Sequence, residues 1–220
     1  MVPVKIGAMC RVVVVVAIAV AVVAGAPAFG QSLFIMQGER AVEGAVGWSV
    51  GPFSNGVETH GAVSLGGRWD VGFGFNVYAA DFGGAADSVF TEWSPFVRYF
   101  LFKEDDDGTP VSFAAHGAFF QGDFDDDDEA WYVLAGGQLY KELTLSDALS
   151  LYPYVGFSLA GESYTFGGGE AERAVYLTRQ FGVHAQISLG ADTWFRITAE
   201  EHSFRRETFR ALRVALVRRF

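Results

Sequence analysis

The sequence predicts an all-β fold, an antiparallel up-and-down transmembrane β-barrel of about ten strands, or eight if the weak early strands merge. Three observations predict it. Long segments alternate apolar and polar residues with period two. Half of the residues are hydrophobic, yet past residue 30 no apolar run approaches the ~20 residues of a membrane helix. The chain also opens on a segment with the layout of an export signal.

In that segment Lys5 and Arg11 form a basic region, Val12 to Val23 an apolar core, and Ala26-Pro27-Ala28 the small residues a signal peptidase accepts. Cleavage is expected near residues 28 to 30, giving a signal peptide over 1–30 and one barrel domain over 31–220. The apolar core is shorter than the ~20 residues of a bilayer-spanning helix. Cys10, the single cysteine, lies within the expected signal peptide, so the exported chain would hold no disulfide, thiolate metal site or cysteine nucleophile. The segment carries two of the sixteen basic residues and none of the 26 acidic ones, leaving 14 against 26. That acidic balance argues against nucleic acid as a partner.

The segment 69–79 sets Trp69, Val71, Phe73, Phe75 and Val77 on one face and Asp70, Gly72, Gly74, Asn76 and Tyr78 on the other. Residues 176–189 repeat the pattern, with Leu177, Phe181, Val183, Ala185, Ile187 and Leu189 opposite Thr178, Gln180, His184, Gln186 and Ser188. Applied to the whole chain, the same rule places strands near 41–51, 57–66, 69–80, 89–102, 110–121, 130–143, 150–165, 173–189, 193–203 and 208–220. Tight connections such as Gly66-Gly67-Arg68 and Gly190-Ala191-Asp192 alternate with longer polar loops such as 122–129 and 167–172, the rhythm of outer-membrane barrels. The loop Lys103 to Thr109 is long for the side on which this count puts it.

A secreted β-sandwich or soluble lipocalin-like barrel also alternates. A solvated sheet face is rich in Lys and Glu, whereas after residue 30 the only lysines are Lys103 and Lys141, and the polar faces are mostly Gly, Ala, Ser, Thr and Tyr. Small residues suit a narrow barrel interior. Trp48, Trp69, Trp93, Trp131, Tyr99 and Phe102 fall toward strand ends, where membrane-interface aromatics sit.

The alternating segment Leu212 to Arg219 ends on Phe220. With the export signal, this resembles the small outer-membrane β-barrel proteins of Gram-negative-type bacteria, whose assembly machinery recognises the final strand and its terminal aromatic. The resemblance implies passage through the periplasm to the outer membrane, both termini on the periplasmic side, and two partners: the barrel assembly machinery and the lipid or lipopolysaccharide of that membrane. Arg218 departs from the pattern, which prefers an apolar residue there.

By parity Glu43, Glu58, His60, Asp70, Glu92, Arg98, His116, Glu142, Glu162, His184, Arg196, Glu200, His202 and Arg213 point away from lipid. Buried charge is costly unless paired, so these groups are expected to pair with one another; a solute path lined by them is the alternative. The four histidines lie on different strands with no close ligand spacing, so neither a metal nor a cofactor is expected. Glu104-Asp105-Asp106-Asp107 and the run from Asp123 to Glu129 are expected to be solvated, the second able to share divalent cations with lipopolysaccharide phosphates. Arg179 and Arg218 interrupt the apolar face and should sit near its edges, since an arginine costs roughly 2–4 kcal/mol at the bilayer midplane and about 0–1 at the interface.

From Val111 through Phe204 the order of segments is similar to the lipid A deacylase (acyloxyacyl hydrolase-like) barrels, above all Phe181-Gly182-Val183-His184-Ala185 and the run Arg196 to Ser203. That resemblance implies an acyl-ester hydrolase with a serine nucleophile, a histidine base and a carboxylate orienting it, the triad logic. The family sets His and Ser two apart. Here His202 precedes Ser203 directly, which on a regular strand sends them to opposite faces, and Glu207 is the only later acid. The leading expectation is therefore a non-enzymatic barrel with a structural or surface-interaction role and at most limited passage of small solutes. A lipid A deacylase using His202 and Ser203, or a narrow porin-like channel, are the alternatives.

Overall fold

The computed structural model describes residues 35–52, 54–80, 88–123, 129–165, 171–204 and 207–220. The expected signal peptide lies outside the described residues, as do the side chains of the acidic run 123–129.

Every expected strand is present. They are β1 (Ala41–Val50), β2 (Ser54–Leu65), β3 (Trp69–Ala80), β4 (Ser88–Phe102), β5 (Ser112–Asp123), β6 (Glu129–Tyr140), β7 (Leu143–Ser146), β8 (Leu149–Thr165), β9 (Glu172–Gly190), β10 (Thr193–Phe204) and β11 (Glu207–Arg219). Ten of them pair antiparallel in the order β1-β11-β10-β9-β8-β6-β5-β4-β3-β2. The first and last in that list, β1 and β2, lie side by side and close the cylinder, with Gly51 N donating to Ser54 O at 2.7 Å. Closure leaves no free edge, the condition for strands to cross a bilayer.

The eleventh strand, β7, is a short exposed ribbon that pairs with β8 outside the ring. Leu143 closes the expected strand 130–143 and the other three residues sit in what the sequence pattern treats as a connection; at that length alternation carries no signal. The long connection from Lys103 to Thr109 does lie on the turn side. It is accommodated by one helical turn, Glu104–Asp107, ended by Gly108 at φ 64°. A helical turn holds its acids compactly where a hairpin would splay them.

Alternation sorts the walls as period two requires. Trp69, Val71, Phe73 and Phe75 are among the exposed large hydrophobics, while Asp70 is fully buried. On the longest hairpin, Phe157 and Leu159 of β8 are 52% and 61% exposed, and Ser158 and Ala160 between them are buried. An apolar exterior of this extent is costly in water and favourable in lipid. Aromatics mark both edges. At the turn end Trp69 packs on Tyr99, with ring centroids 4.5 Å apart, and Phe102 stacks on Phe113. Toward the loop end Phe73, Trp93, Phe119 and Trp131 form a continuous outward row across β3, β4, β5 and β6.

The approach to β1 and the end of β11 meet at the turn side, where Phe220 N donates to Arg40 O at 3.1 Å. The segment 35–39 folds across this mouth. Ile35 is buried against Ala41, Val217 and Trp194. Lys103, also buried, donates its ammonium to the Ile35 carbonyl and pairs with Asp106 at 3.1 Å. Burial pulls the Lys103 ammonium below the ordinary lysine range, with Asp106 opposing that pull. Gly38 N donates to Gly66 O at 3.0 Å. The β2–β3 turn beneath uses Gly66 and Gly67 at φ 62° and 68°, the left-handed pair that matches hairpin twist. At Gly67 a Cβ would stand 2.2 Å from Met36 O.

Two outcomes follow from this rim. Gly67→Ala should lower stability by roughly 1–3 kcal/mol in urea unfolding, from positive φ and collision with Met36, and should raise amide exchange in residues 35–39. Asp107 is held below the ordinary carboxylate range by the Arg68 side chain and then by the Lys103 N–H. A lowered pKa contributes stability that is present above the unfolded value and lost as pH falls through the folded one. Amide exchange at Lys103 and Asp107 should therefore accelerate below the ordinary carboxylate range, while the strand amides stay protected.

Candidate functional site in the barrel interior

The inner face is where the chain concentrates chemistry. Away from the rims, six carboxylates (Glu43, Glu58, Asp70, Glu92, Glu162, Glu200) share it with the guanidiniums of Arg98, Arg196 and Arg213 and with all four histidines. Each stands there because its strand alternates, and the register then decides which of them meet.

Two ionic centres result. In the turn-side half, Glu43 on β1 is fully buried; it accepts hydrogen bonds from Arg196 on β10 and from His60 Nε2 on β2 at 2.8 Å. Beside it Asp70 accepts Ser64 Oγ at 2.5 Å and lies 3.7 Å from Arg98. Toward the loop end Arg213 on β11 is held between Glu58 on β2, at 2.6 Å, and Glu200 on β10. Glu200 also accepts Tyr154 Oη, Gln180 Nε2 at 3.0 Å and His202 Nε2 at 2.8 Å. Charged groups in a low-dielectric interior need this density of partners.

Aromatic and amide groups join the two centres. Phe100, Tyr140, Tyr154 and His184 pack ring on ring, with Tyr154 and His184 stacked at 4.7 Å. Tyr140 Oη donates to Gln138 at 2.5 Å, and Gln138 donates to Gln180, which reaches Glu200. His184 meets Thr198 at 2.8 Å and His116 meets Ser158 at 2.8 Å. Tyr132 and Asn76 donate to Glu92, and Tyr176 donates to Glu162. All ten ring strands contribute a member. Many links skip a strand, as Glu43–Arg196, Glu58–Arg213, Tyr154–Glu200, Gln138–Gln180 and His116–Ser158 do.

Thirteen of the fourteen residues assigned inward by parity stand in strands of the inner wall. Glu142 lies beyond the end of β6 at the turn-side rim, where it accepts Ser150 and Tyr152 at 3.0 and 2.9 Å. The histidines join carboxylates and hydroxyls, and no group of three or more His, Cys, Asp or Glu able to hold a metal occurs among the described residues. His202 faces inward to Glu200. Ser203 faces outward, level with Arg179 and Thr208, and the β9–β10 register is regular from Trp194 to Ser203. No bulge turns the two toward each other.

Two partnerships escape sequence reading. Glu200 and His202 are two apart on one strand, so period two could have found their contact. His116 and Ser158 are 42 positions apart and meet only through the register of β5, β6 and β8.

The chain is thus a ten-stranded antiparallel β-barrel with an apolar outer wall and an ion-paired core. No family model and no curated protein sequence matches it. Among solved structures it is similar to Ail, the attachment invasion locus protein of Yersinia pestis, at 12% identity and TM-score 0.43, covering 84% of this chain and 100% of that one. It is also similar to the outer-membrane protease OmpT of Escherichia coli (8%, TM-score 0.41, 83% and 95% covered) and to Neisserial surface protein A (7%, 0.44, 83% and 96%).

Breaking one partner of a buried pair leaves the other charge stranded, at a cost of ~3–5 kcal/mol. Arg213→Ala should show that loss in urea unfolding, and Glu58→Gln combined with Arg213→Met should recover part of it.

Proposed function

We propose that this chain is a non-enzymatic outer-membrane β-barrel with a structural or surface-interaction role, exported through the periplasm and inserted with its turns and both termini on the periplasmic side. The observation that carries the reading is the interior: ionic and aromatic side chains from every ring strand meet one another across the lumen. Groups committed to each other are not arranged to pass a solute stream, and limited passage of small ions is the most such a core allows. The segment 35–39 across the turn-side mouth supports the same conclusion.

Insertion proceeds through the barrel assembly machinery, with Phe220, 68% exposed at the end of β11, as the recognised residue. The partners are the lipids of the membrane, with nucleic acid disfavoured by the acidic balance. The separation of His202 from Ser203 supports the non-enzymatic reading.

Refolded into planar bilayers, the protein should show no steady conductance, and Arg213→Ala should introduce openings. A stable open level in the unaltered protein would contradict the closed-core reading. Mass spectra of lipid A from membranes with and without the protein should be identical, whereas loss of an acyl chain that requires His202 would overturn the non-enzymatic one.

A further inference from the structure

The outer wall is mainly apolar, and among the described residues its charged exceptions are not scattered. Among the strand side chains described, the charged residues facing outward are Arg173 and Arg179 on β9, Glu201 on β10, and Arg210 and Arg218 on β11, three consecutive strands of the ring. The register groups five polar positions further. Arg179, Ser203 and Thr208 pair across β9, β10 and β11 in one row, and Phe181, Glu201 and Arg210 form the next row on the same face.

Arg218 marks the turn-side edge and Arg210 lies eight residues along β11, with Leu212, Val214 and Leu216 outward between them. Eight residues extend about 27 Å along a strand, and at a tilt of ~40° about 20 Å along the membrane normal. The Arg179–Arg210 tier therefore stands just inside the loop-side boundary of the hydrocarbon, within reach of headgroups by extending its side chains. Arg210 is bonded to Glu201 at 2.9 Å with its side chain 77% exposed. The Arg179 side chain is exposed and makes no hydrogen bond or ion pair with the described residues. A guanidinium at lipid depth with no counter-ion among the described residues is matched by an anion from the lipid.

We infer that this tier binds the phosphate-bearing headgroup of a glycolipid in the loop-side leaflet, of the lipid A kind. Arg179 and Arg210 hold the phosphate side, while Ser203, Thr208 and Glu201 take sugar hydroxyls and amides. β9 and β11 are two strands apart, ~10 Å, a span that suits a broad sugar headgroup better than one phosphodiester. A carboxylate within the tier also favours a headgroup with hydrogen-bond donors over a bare phosphate. The inference rests on the proposal that the chain spans the outer membrane.

The test is native mass spectrometry of the full refolded chain in detergent with added lipid A, its dephosphorylated form, or phosphatidylglycerol. Lipid A should be retained in preference to both others. Arg179→Gln and Arg210→Gln should each weaken that retention by about tenfold, with Arg218→Gln leaving it unchanged. Folding of each variant is read from heat-modifiable gel migration, and the three-lipid comparison on the unaltered protein stands even if a variant fails to fold. Equal retention of dephosphorylated lipid A, equal competition by phosphatidylglycerol, or no effect of either arginine substitution would overturn the site. Insertion into vesicles with protease protection would show that the membrane reading survives that failure.

Discussion

Arg213 is placed where a single positive charge serves two carboxylates, Glu58 on β2 and Glu200 on β10, reaching past β1 to do so. A charge removed from water is tolerable only with partners this close. Around that requirement the interior organises itself: Glu200 draws in Tyr154, Gln180 and His202, and the Gln138–Gln180 link extends the set toward Tyr140. Glu43 with Arg196 and His60 repeats the arrangement deeper in the barrel. Because the links skip strands, they brace the cylinder in directions that backbone ladders do not.

The walls are the complement of this core. An ionic interior obliges the apolar residues to face out, and an apolar exterior obliges the barrel to sit in lipid, so one alternation sets both conditions. Small residues such as Ala62, Ala114, Ala160 and Ala215, all buried, leave the room that the long charged side chains fill.

How far this was legible depends on the range of the interaction. The alternation of Trp69 to Val77 belongs to one strand and is plain in the sequence, and so is the inward side of Glu43, Asp70, Arg196 and Glu200. The number of ring strands follows from turn spacing. The ribbon β7 and the helical turn Glu104–Asp107 did not show, because four residues give no period and Lys103, which anchors the turn, is held by Ile35, 68 positions away. Likewise Glu142 shares the parity of inward residues but lies past the point where β6 ends. Parity identifies the inner face; only the stagger of ten strands decides that Glu43 meets Arg196 and that His116 meets Ser158. The outward tier of Arg179, Glu201 and Arg210 is legible residue by residue as interruptions of an apolar face, but its unity across three strands is a product of register.

The central claim, that the interior charges are committed to one another, is tested most directly by NMR hydrogen exchange at the arginine Nε–H groups of the refolded barrel. The account predicts that Arg213 Nε–H exchanges far more slowly than that of the exposed Arg210, because it is bonded to Glu58 inside the core. Exchange of Arg213 as fast as that of Arg210 would mean a hydrated, mobile interior and would contradict it.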